Sequence, residues 1–170
     1  SNNNTISNIT SNDNVYGIHI QSGSGNNIIA NSSYINNSYG FSLSTSGDNI
    51  LRRNNMSNNT YNFHIYGSSN SHFTNDIDPS NIVDNTYKIY YNYSISNYIH
   101  DLTSAPSAGA ILCANCTNVT IKDVNLSHFN YNGAYLFNST NSTLTNLTSN
   151  NNYAEIALPY SSNNTITNIV

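Results

Sequence analysis

Acidic and basic side chains are the usual agents of catalysis, and this chain has few of them. Only 7% of its 170 residues are charged, and eight of those are acids. Asp76 with Asp78, and Lys122 with Asp123, are the pairs that lie close together in sequence. Cleaving a polysaccharide needs paired carboxylates, or a basic residue with a metal, gathered on one face. No basic residue is aligned beside an acid pair, so we expect no catalytic residues, no cofactor and no enzymatic activity.

Metal ligands are also sparse. Asp76 and Asp78 could share a calcium ion with loop carbonyls, since hard cations bind such oxygens, but a solvated loop is the simpler interpretation. Of the five histidines, His19 and His64 occupy the same outward position two repeats apart. Two coils of a solenoid separate them by about 10 Å, too far for one ion held at about 2 Å. The sequence therefore predicts surface histidines and no metal site.

Cys113 and Cys116 form a Cys-x-x-Cys motif. Such a motif can serve redox chemistry, half of a zinc site or a disulfide. The chain has no further cysteine and no thioredoxin-like βαβ context, which weakens the first two interpretations. A local disulfide or two free thiols remain, and an extracellular location favours the disulfide.

Asparagine followed two residues later by Ser or Thr is the acceptor motif for N-linked glycans. The chain contains 14 such motifs, a modest excess over chance in a sequence so rich in Asn, Ser and Thr. Several lie in columns of turn asparagines, where a glycan would have to leave a stacked position. We hypothesise that several of the remaining sites carry glycans: Asn36, Asn55, Asn58, Asn92, Asn125 and Asn138.

The elements that position these residues follow from an internal repeat. Apolar residues recur every 22–25 residues in three columns that keep step along the chain. The first column contains Ile6, Ile29, Leu51, Phe73, Tyr98, Ile121, Leu144 and Ile166. The second contains Ile20, Leu43, Ile65, Ile89, Leu112, Leu136 and Leu158. The third contains Ile18, Phe41, Phe63, Tyr87, Ala110, Ala134 and Ile156.

Alternation of apolar and polar residues, as at 17–20 and 40–43, indicates half-buried strands rather than helices. Strands that recur once per coil predict an all-β fold, a right-handed parallel β-helix of about 7–8 coils forming one domain over residues 1–170. An irregular stretch at 76–108, with Pro79 and Pro106 in loops, predicts an excursion from the stack. Because the chain begins and ends inside repeats, we expect a processed product or a segment of a longer protein.

Two columns describe the turns. Asn, or Asp48, stands three residues before most anchors of the first column and is expected to bond from coil to coil: Asn3, Asn26, Asp48, Asn70, Asn118, Asn141 and Asn163. Gly17 and Gly40 precede strands and are expected at corners, where positive φ is tolerated.

Charge and hydropathy exclude two classes of partner. The formal net charge is −4, with only four Lys and Arg in the chain, whereas nucleic-acid binding needs clustered basic residues. No apolar run reaches the ~18 residues of a transmembrane helix. We expect neither nucleic-acid binding nor a membrane span.

Several segments carry a family resemblance. Asn-Asn-Thr-Ile-x-Asn at 3–8 and 163–168, with Gly-Ile-x-Ile at 17–20, resembles the NosD-like repeats of the carbohydrate-binding and sugar-hydrolase β-helix group. The stretches 82–91 and 116–124 resemble multi-repeat surface proteins of methanogenic archaea. The resemblance implies a secreted or cell-surface β-helix. It does not imply the copper-maturation role that named the repeat, because no matched ligand set is present.

The first functional hypothesis is an extracellular structural protein: a surface-layer, sheath or filament subunit. The uncapped terminal coils favour self-association into a homopolymer through end-to-end stacking. The alternative is a glycan-binding or carbohydrate-active module, in which Tyr16, Tyr39 and Tyr61 form an aromatic strip for sugar stacking. The same column could equally be a structural tyrosine stack.

Overall fold

The computed structural model describes residues 1–101 and 107–170. Within those ranges the chain has 19 short β-strands and one turn of 3₁₀-helix, Asn70–Phe73. Most strands pair in parallel with the strand one coil away, so the chain is a solenoid of about seven turns. The predicted all-β, parallel solenoid fold is confirmed. Pro79 lies in a turn, whereas the predicted loop at Pro106 falls outside the described residues.

Residues 1–83 form the N-terminal stack, in which each of the first three coils has three short strands. The first coil contains β1 (Thr5–Ser7), β2 (Thr10–Asn12) and β3 (Tyr16–Gln21). The second contains β4 (Ile28–Ala30), β5 (Ser33–Ile35) and β6 (Tyr39–Ser44). The third contains β7 (Ile50–Arg52), β8 (Asn55–Ser57) and β9 (Tyr61–Tyr66). A fourth coil contributes β10 (Asp76–Ile77) and β11 (Ile82–Val83).

Apolar residues in the same position of successive coils lie in one column inside this stack. Ile20 pairs with Leu43, and Leu43 pairs with Ile65. All three side chains are buried, because alternation along each strand places every second residue in the lumen. The three predicted columns are thus confirmed over the first three coils.

The chain reverses direction after the fourth coil. β11 pairs antiparallel with β12 (Tyr87–Tyr93), and the connection passes through Asp84 and Asn85, both with positive φ. Residues of that conformation are typical of tight hairpin turns, where Asp and Asn are favoured. The stretch at 82–93 is therefore part of a sheet rather than an excursion from the stack.

Residues 87–101 and 107–170 form a second set of coils, the C-terminal stack, with two strands per coil. Its first coil contains β12 and β13 (Ile99–Asp101). The next contains β14 (Ala110–Ala114) and β15 (Thr120–Asn125), followed by β16 (Asn132–Phe137) and β17 (Thr143–Thr148). The last contains β18 (Ala154–Ala157) and β19 (Thr165–Ile169).

One eight-stranded sheet joins the two stacks, in the order β18-β16-β14-β12-β11-β8-β5-β2. Strands β14 and β16 are buried along their whole length. Leu112 faces the apolar cluster of the N-terminal stack, whereas its neighbours Ile111 and Cys113 face the cluster of the C-terminal stack. The two lumens thus lie on opposite faces of the shared sheet. At β12 the strand direction reverses, and the lumen moves to the opposite face of the sheet. Because both change together, the coils of the two stacks wind with the same handedness.

Several assignments from the sequence columns were wrong, and they include members of all three columns. Leu51 pairs with Ile77 rather than Phe73, and Ile121 pairs with His100 rather than Tyr98. Beyond the reversal the second column fails, because Leu112 and Leu136 differ by one residue in register. Leu112 pairs with Tyr135, and Cys113 pairs with Leu136. A one-residue slip sends side chains to the opposite face.

Glycine and asparagine have different roles at the corners. Gly17 lacks the expected positive φ, and a Cβ there would lie 2.5 Å from the carbonyl oxygen of Gly40. Glycine is needed at 17 because the neighbouring backbone approaches too closely for any side chain. Positive φ is instead carried by asparagine or aspartate, including Asn3, Asn26 and Asp48, side chains that tolerate the left-handed region.

Candidate functional site

A ladder of asparagine amides runs through one corner of the N-terminal stack. Each side-chain amide donates to the side-chain oxygen of the next: Asn4 to Asn27 at 2.8 Å, Asn27 to Asn49 at 2.9 Å, and Asn49 to Asn75 at 3.0 Å. The backbone N–H of each donor residue bonds to the same oxygen. In the first three coils the ladder lies one residue beyond the predicted turn column, whose members Asn3, Asn26 and Asp48 have positive φ and set the corner conformation instead.

Two further ladders occupy the other corners. Asn37 donates to Asn59 at 3.1 Å and Asn59 to Asn62 at 2.9 Å. At the third corner Asn54 donates to Asn81 at 2.9 Å. These asparagines are almost fully buried, and buried polar groups stabilise a fold only when they are hydrogen-bonded.

Five tyrosines and two histidines cluster at the outer face of β3, β6 and β9, and we call this cluster the tyrosine surface. Its members are Tyr16, Tyr39, Tyr61, Tyr131, Tyr153, His19 and His64. The rings of Tyr16 and Tyr39, and those of Tyr39 and Tyr61, have centroids 5.1 Å apart. Tyr131 and Tyr153 come from the C-terminal stack and stack on each other at 4.5 Å.

The sequence predicted the three N-terminal tyrosines of this surface but not the two others. Tyr131 lies 5.6 Å from Tyr61 because residues 129–131 dock against the free edge of β9. The N–H of Asn62 donates to the carbonyl of Phe129 at 2.6 Å, and that of Tyr131 donates to Phe63 at 3.0 Å. Tyr131 and Tyr153 are 22 residues apart, one coil length, which is a sign that they share a column. The sequence contains no sign that this column lies against β9.

Much of the aromatic area on the tyrosine surface is covered by neighbouring rings. The ring of Tyr16 stacks on those of His19, at 4.3 Å, and Tyr39, at 5.1 Å. Tyr153 is the most exposed of the five, at 64%. Burial and neighbouring tyrosines raise the pKa of Tyr39 and of Tyr131.

The prediction of surface histidines was wrong for two of them. His100 and His128 are 5% and 8% exposed, and His64 is half-buried. Burial lowers the pKa of His64 and of His100 to about 4 each. The Nδ1 atom of His64 lies 2.9 Å from the Oγ of Ser42, and a ring nitrogen of His100 lies 2.7 Å from the amide of Asn92.

Arg52 lies against the acid pair Asp76 and Asp78, where the sequence left a shared calcium ion as an alternative. Its guanidinium forms ion pairs with the carboxylates of both Asp76 and Asp78, the second at 3.3 Å. Asp78 also accepts a hydrogen bond from the N–H of Ser80 at 3.0 Å. Within the described residues, no group of three or more His, Cys, Asp or Glu side chains could hold a metal ion.

Cys113 and Cys116 are joined as a disulfide with their Cα atoms 5.9 Å apart. Both are buried in the C-terminal stack, at the end of β14 and in the corner that follows. The N–H of Cys116 donates to the Oγ of Ser139 in the next coil at 3.1 Å. The disulfide therefore links the two sides of a corner that is also hydrogen-bonded to the next coil at Ser139.

The two axial ends of the molecule differ in cross-section. At the first coil a hollow of about 660 Å³ opens beside Ile6, Ile18 and Ile20, and three strand edges are free. The last coil has two strand edges, those of β18 and β19. In the part of the chain that the structure describes, no helix has the length and apolar character needed to cross a membrane.

A family model matches the last third or so of the chain. Residues 109–170 match a family model described as a right handed beta helix region. The chain is a right-handed parallel β-helix. No curated protein and no solved structure is significantly similar to this β-helix.

Proposed function

We propose that this β-helix is an extracellular structural protein, a rigid segment of a cell surface. The observation that carries the proposal is the set of asparagine ladders. In the ladder that ends at Asn75, each buried amide bonds to the next coil rather than to a pocket. Polar side chains that hydrogen-bond from coil to coil stabilise a rod. In a binding site, by contrast, some polar side chains are left unpaired to bind the ligand.

Three features support an extracellular location. The disulfide between Cys113 and Cys116 is a bond that persists in oxidising compartments. The chain also has 14 acceptor motifs for N-linked glycans and very few charges. The resemblance of its repeats to archaeal surface proteins points the same way.

The proposal does not extend to a simple head-to-tail filament. Stacking the last coil of one copy on the first coil of the next would set two strand edges against three. The edges of β18 and β2 would also run antiparallel, because strand direction reverses at β12. Self-association into a homopolymer therefore stays a prediction, which sedimentation of the purified chain measures.

Immunogold labelling tests the location. Antibodies raised against the purified β-helix should label the surface of intact cells of the source organism. Label that appears only after the cells are permeabilised would overturn the proposal. Sedimentation and resistance of the folded chain to protease, compared with an Asn49→Ala variant that breaks the ladder, test the structural role separately.

A second candidate function is glycan binding at the tyrosine surface, favoured by the exposure of Tyr153 at 64%. Aromatic rings bind sugars through their faces, and most faces here are covered by neighbours. A glycan array should therefore give at most weak hits that disappear in Tyr153→Ala. Tyr160→Ala is the matched control, because Tyr160 is 70% exposed but lies outside the tyrosine surface. Hits that survive Tyr153→Ala would exclude this site.

A further inference from the structure

We propose that N-linked glycans attach to Asn36 and Asn58, which lie at one corner of the N-terminal stack on consecutive coils. Their neighbours Ile35 and Ser57 are register partners, so the two asparagines lie directly above each other. Both have positive φ and exposed side chains. The inference rests on the extracellular location proposed above.

Exposure of the whole acceptor motif distinguishes these two sites. In both, the asparagine and the hydroxyl residue two positions later, Ser38 or Thr60, are exposed. The residue between them, Asn37 or Asn59, is buried in a ladder. Among motifs outside the first and last coils, these are the two in which both recognised residues are exposed rather than partly buried. At Asn55, by contrast, the hydroxyl residue Ser57 is 5% exposed.

The bonding of the amide nitrogen gives a second, independent distinction. The side-chain nitrogens of Asn36 and Asn58 make no hydrogen bond among the described residues. Three of the other candidates use theirs: Asn55 donates to Asn85 at 2.6 Å, Asn92 lies 2.7 Å from His100, and Asn138 donates to Asn70 at 3.1 Å. At Asn125 the carboxamide oxygen accepts a hydrogen bond from the N–H of Ser127 at 3.0 Å. Glycosylating Asn36 or Asn58 therefore breaks no bond within the fold.

The modification is a transfer of oligosaccharide from a polyprenyl diphosphate carrier. The amide nitrogen forms a bond to the anomeric carbon of the first sugar as the bond from that carbon to the carrier phosphate breaks. The nitrogen loses one proton, and the polyprenyl diphosphate leaves with the bonding electron pair. No oxidant or reductant is required.

The spacing of the two acceptors predicts that they compete. Adjacent coils are about 4.8 Å apart, which is close to the width of one sugar ring. Two glycans at that spacing would crowd each other at their attachment points. We expect most chains to carry one glycan, at either Asn36 or Asn58, and few to carry both.

The experiment is cell-free glycosylation of the purified, folded chain by an oligosaccharyltransferase with a lipid-linked oligosaccharide, followed by glycopeptide mapping. Glycan should appear at Asn36 and Asn58, while the same chain unfolded in urea and diluted into the reaction should also accept at Asn92 and Asn138. Because the sites compete, Asn36→Gln should raise occupancy of Asn58 about two-fold. Ser38→Ala, which removes the motif but keeps Asn36, should do the same.

Two results would overturn the choice of sites. One is a folded chain modified mainly at Asn92, Asn138 or Asn55. The other is a folded chain that stays unmodified while its unfolded form accepts at Asn36 and Asn58. Mapping of the native protein separates this inference from the proposed location. If the folded chain accepts glycan at both sites but native peptides carry none, the extracellular location fails and the site assignment stands.

Discussion

Asn49 is the position at which the ladder is most tightly held, and replacing it should test the whole architecture. Its side chain is fully buried. The amide nitrogen donates to the carbonyls of Ser24 and Gly47 and to the oxygen of Asn75, at 2.9–3.1 Å. Its oxygen accepts from both the N–H and the amide of Asn27.

Asn49→Ala removes all of these bonds and leaves at least two or three buried polar groups without partners. Each such group costs about 1–3 kcal/mol, so the free energy of unfolding should fall by about 2–9 kcal/mol. That is a large part of the ~5–15 kcal/mol that stabilises a typical domain. Asn4→Ala is the matched control, because Asn4 is an exposed end of the same ladder and water can replace its bonds. It should cost less than about 1 kcal/mol.

Asn49→Asp keeps the shape but removes every donor, so a carboxylate would face three acceptor oxygens. The pKa of that carboxyl would be raised in the folded state above the unfolded ~3.9. The destabilisation is then present at neutral pH and is relieved as the pH falls through the raised pKa. Urea unfolding followed by circular dichroism measures all three variants. Equal losses for Asn49→Ala and Asn4→Ala would refute the ladder as a source of stability.

Three further predictions concern titration, close packing and the shared sheet. Burial holds the pKa of His100 near 4, below its unfolded ~6.5, so stability is complete above pH 6.5 and falls by up to about 3 kcal/mol toward pH 4. His100→Leu, which matches its register partner Ile121, should flatten that part of the stability–pH curve. Gly40→Ala should cost about 2–3 kcal/mol, since its Cβ would lie 2.7 Å from the carbonyl oxygen of Asn62. Phe137→Ala should cost about 3–5 kcal/mol, because the ring of Phe137 stacks on Phe73 at 4.3 Å across the two stacks.

Controls for these variants come from the same chain. Gly23 has open space around its would-be Cβ and a φ of +72°, so Gly23→Ala should cost only about 1 kcal/mol. Tyr160→Ala, at an exposed ring that touches Phe137 edge-on, controls for Phe137→Ala. A stability–pH curve for His100→Leu that matches the parent between pH 6.5 and 4 would contradict the assignment of the acid-linked loss to His100. Thermal melts and urea titrations provide the measurements.

The first three coils were predictable because a parallel solenoid repeats one coil length in sequence and one position in space. The spacing from Ile20 to Leu43 to Ile65 is 23 and then 22 residues, and each pair shares a register. The step from Ile65 to Ile89 is 24 residues and looks the same in sequence. In the structure it crosses an antiparallel turn. Periodicity measures the length of a coil and carries no information about the direction in which the next coil runs.

The repeat also did not predict contacts between segments that are distant in sequence. His128 stacks on Tyr87 at 3.6 Å, and Tyr131 packs on His64 at 4.3 Å. Such contacts join segments many coils apart, so no spacing in the sequence corresponds to them. Burial of a histidine depends on those contacts, and for that reason His128 could not be recognised as buried.

The sequence did contain a sign of the shared sheet. In β3 apolar and polar residues alternate, as in Ile18-His19-Ile20, which is the pattern of a strand with one solvent-exposed face. In β14 the run Ala110-Ile111-Leu112-Cys113-Ala114 has no polar residue at all, which is typical of strands buried on both faces. The same holds for Ala134–Phe137 in β16, where Tyr135 and Leu136 face different cores. A solenoid with one lumen has an outer face on every strand, so two consecutive coils without polar outward residues require a second core. The change from alternating to continuous apolar strands therefore marks where the two stacks share a wall, and that wall makes each stack depend on the other for burial.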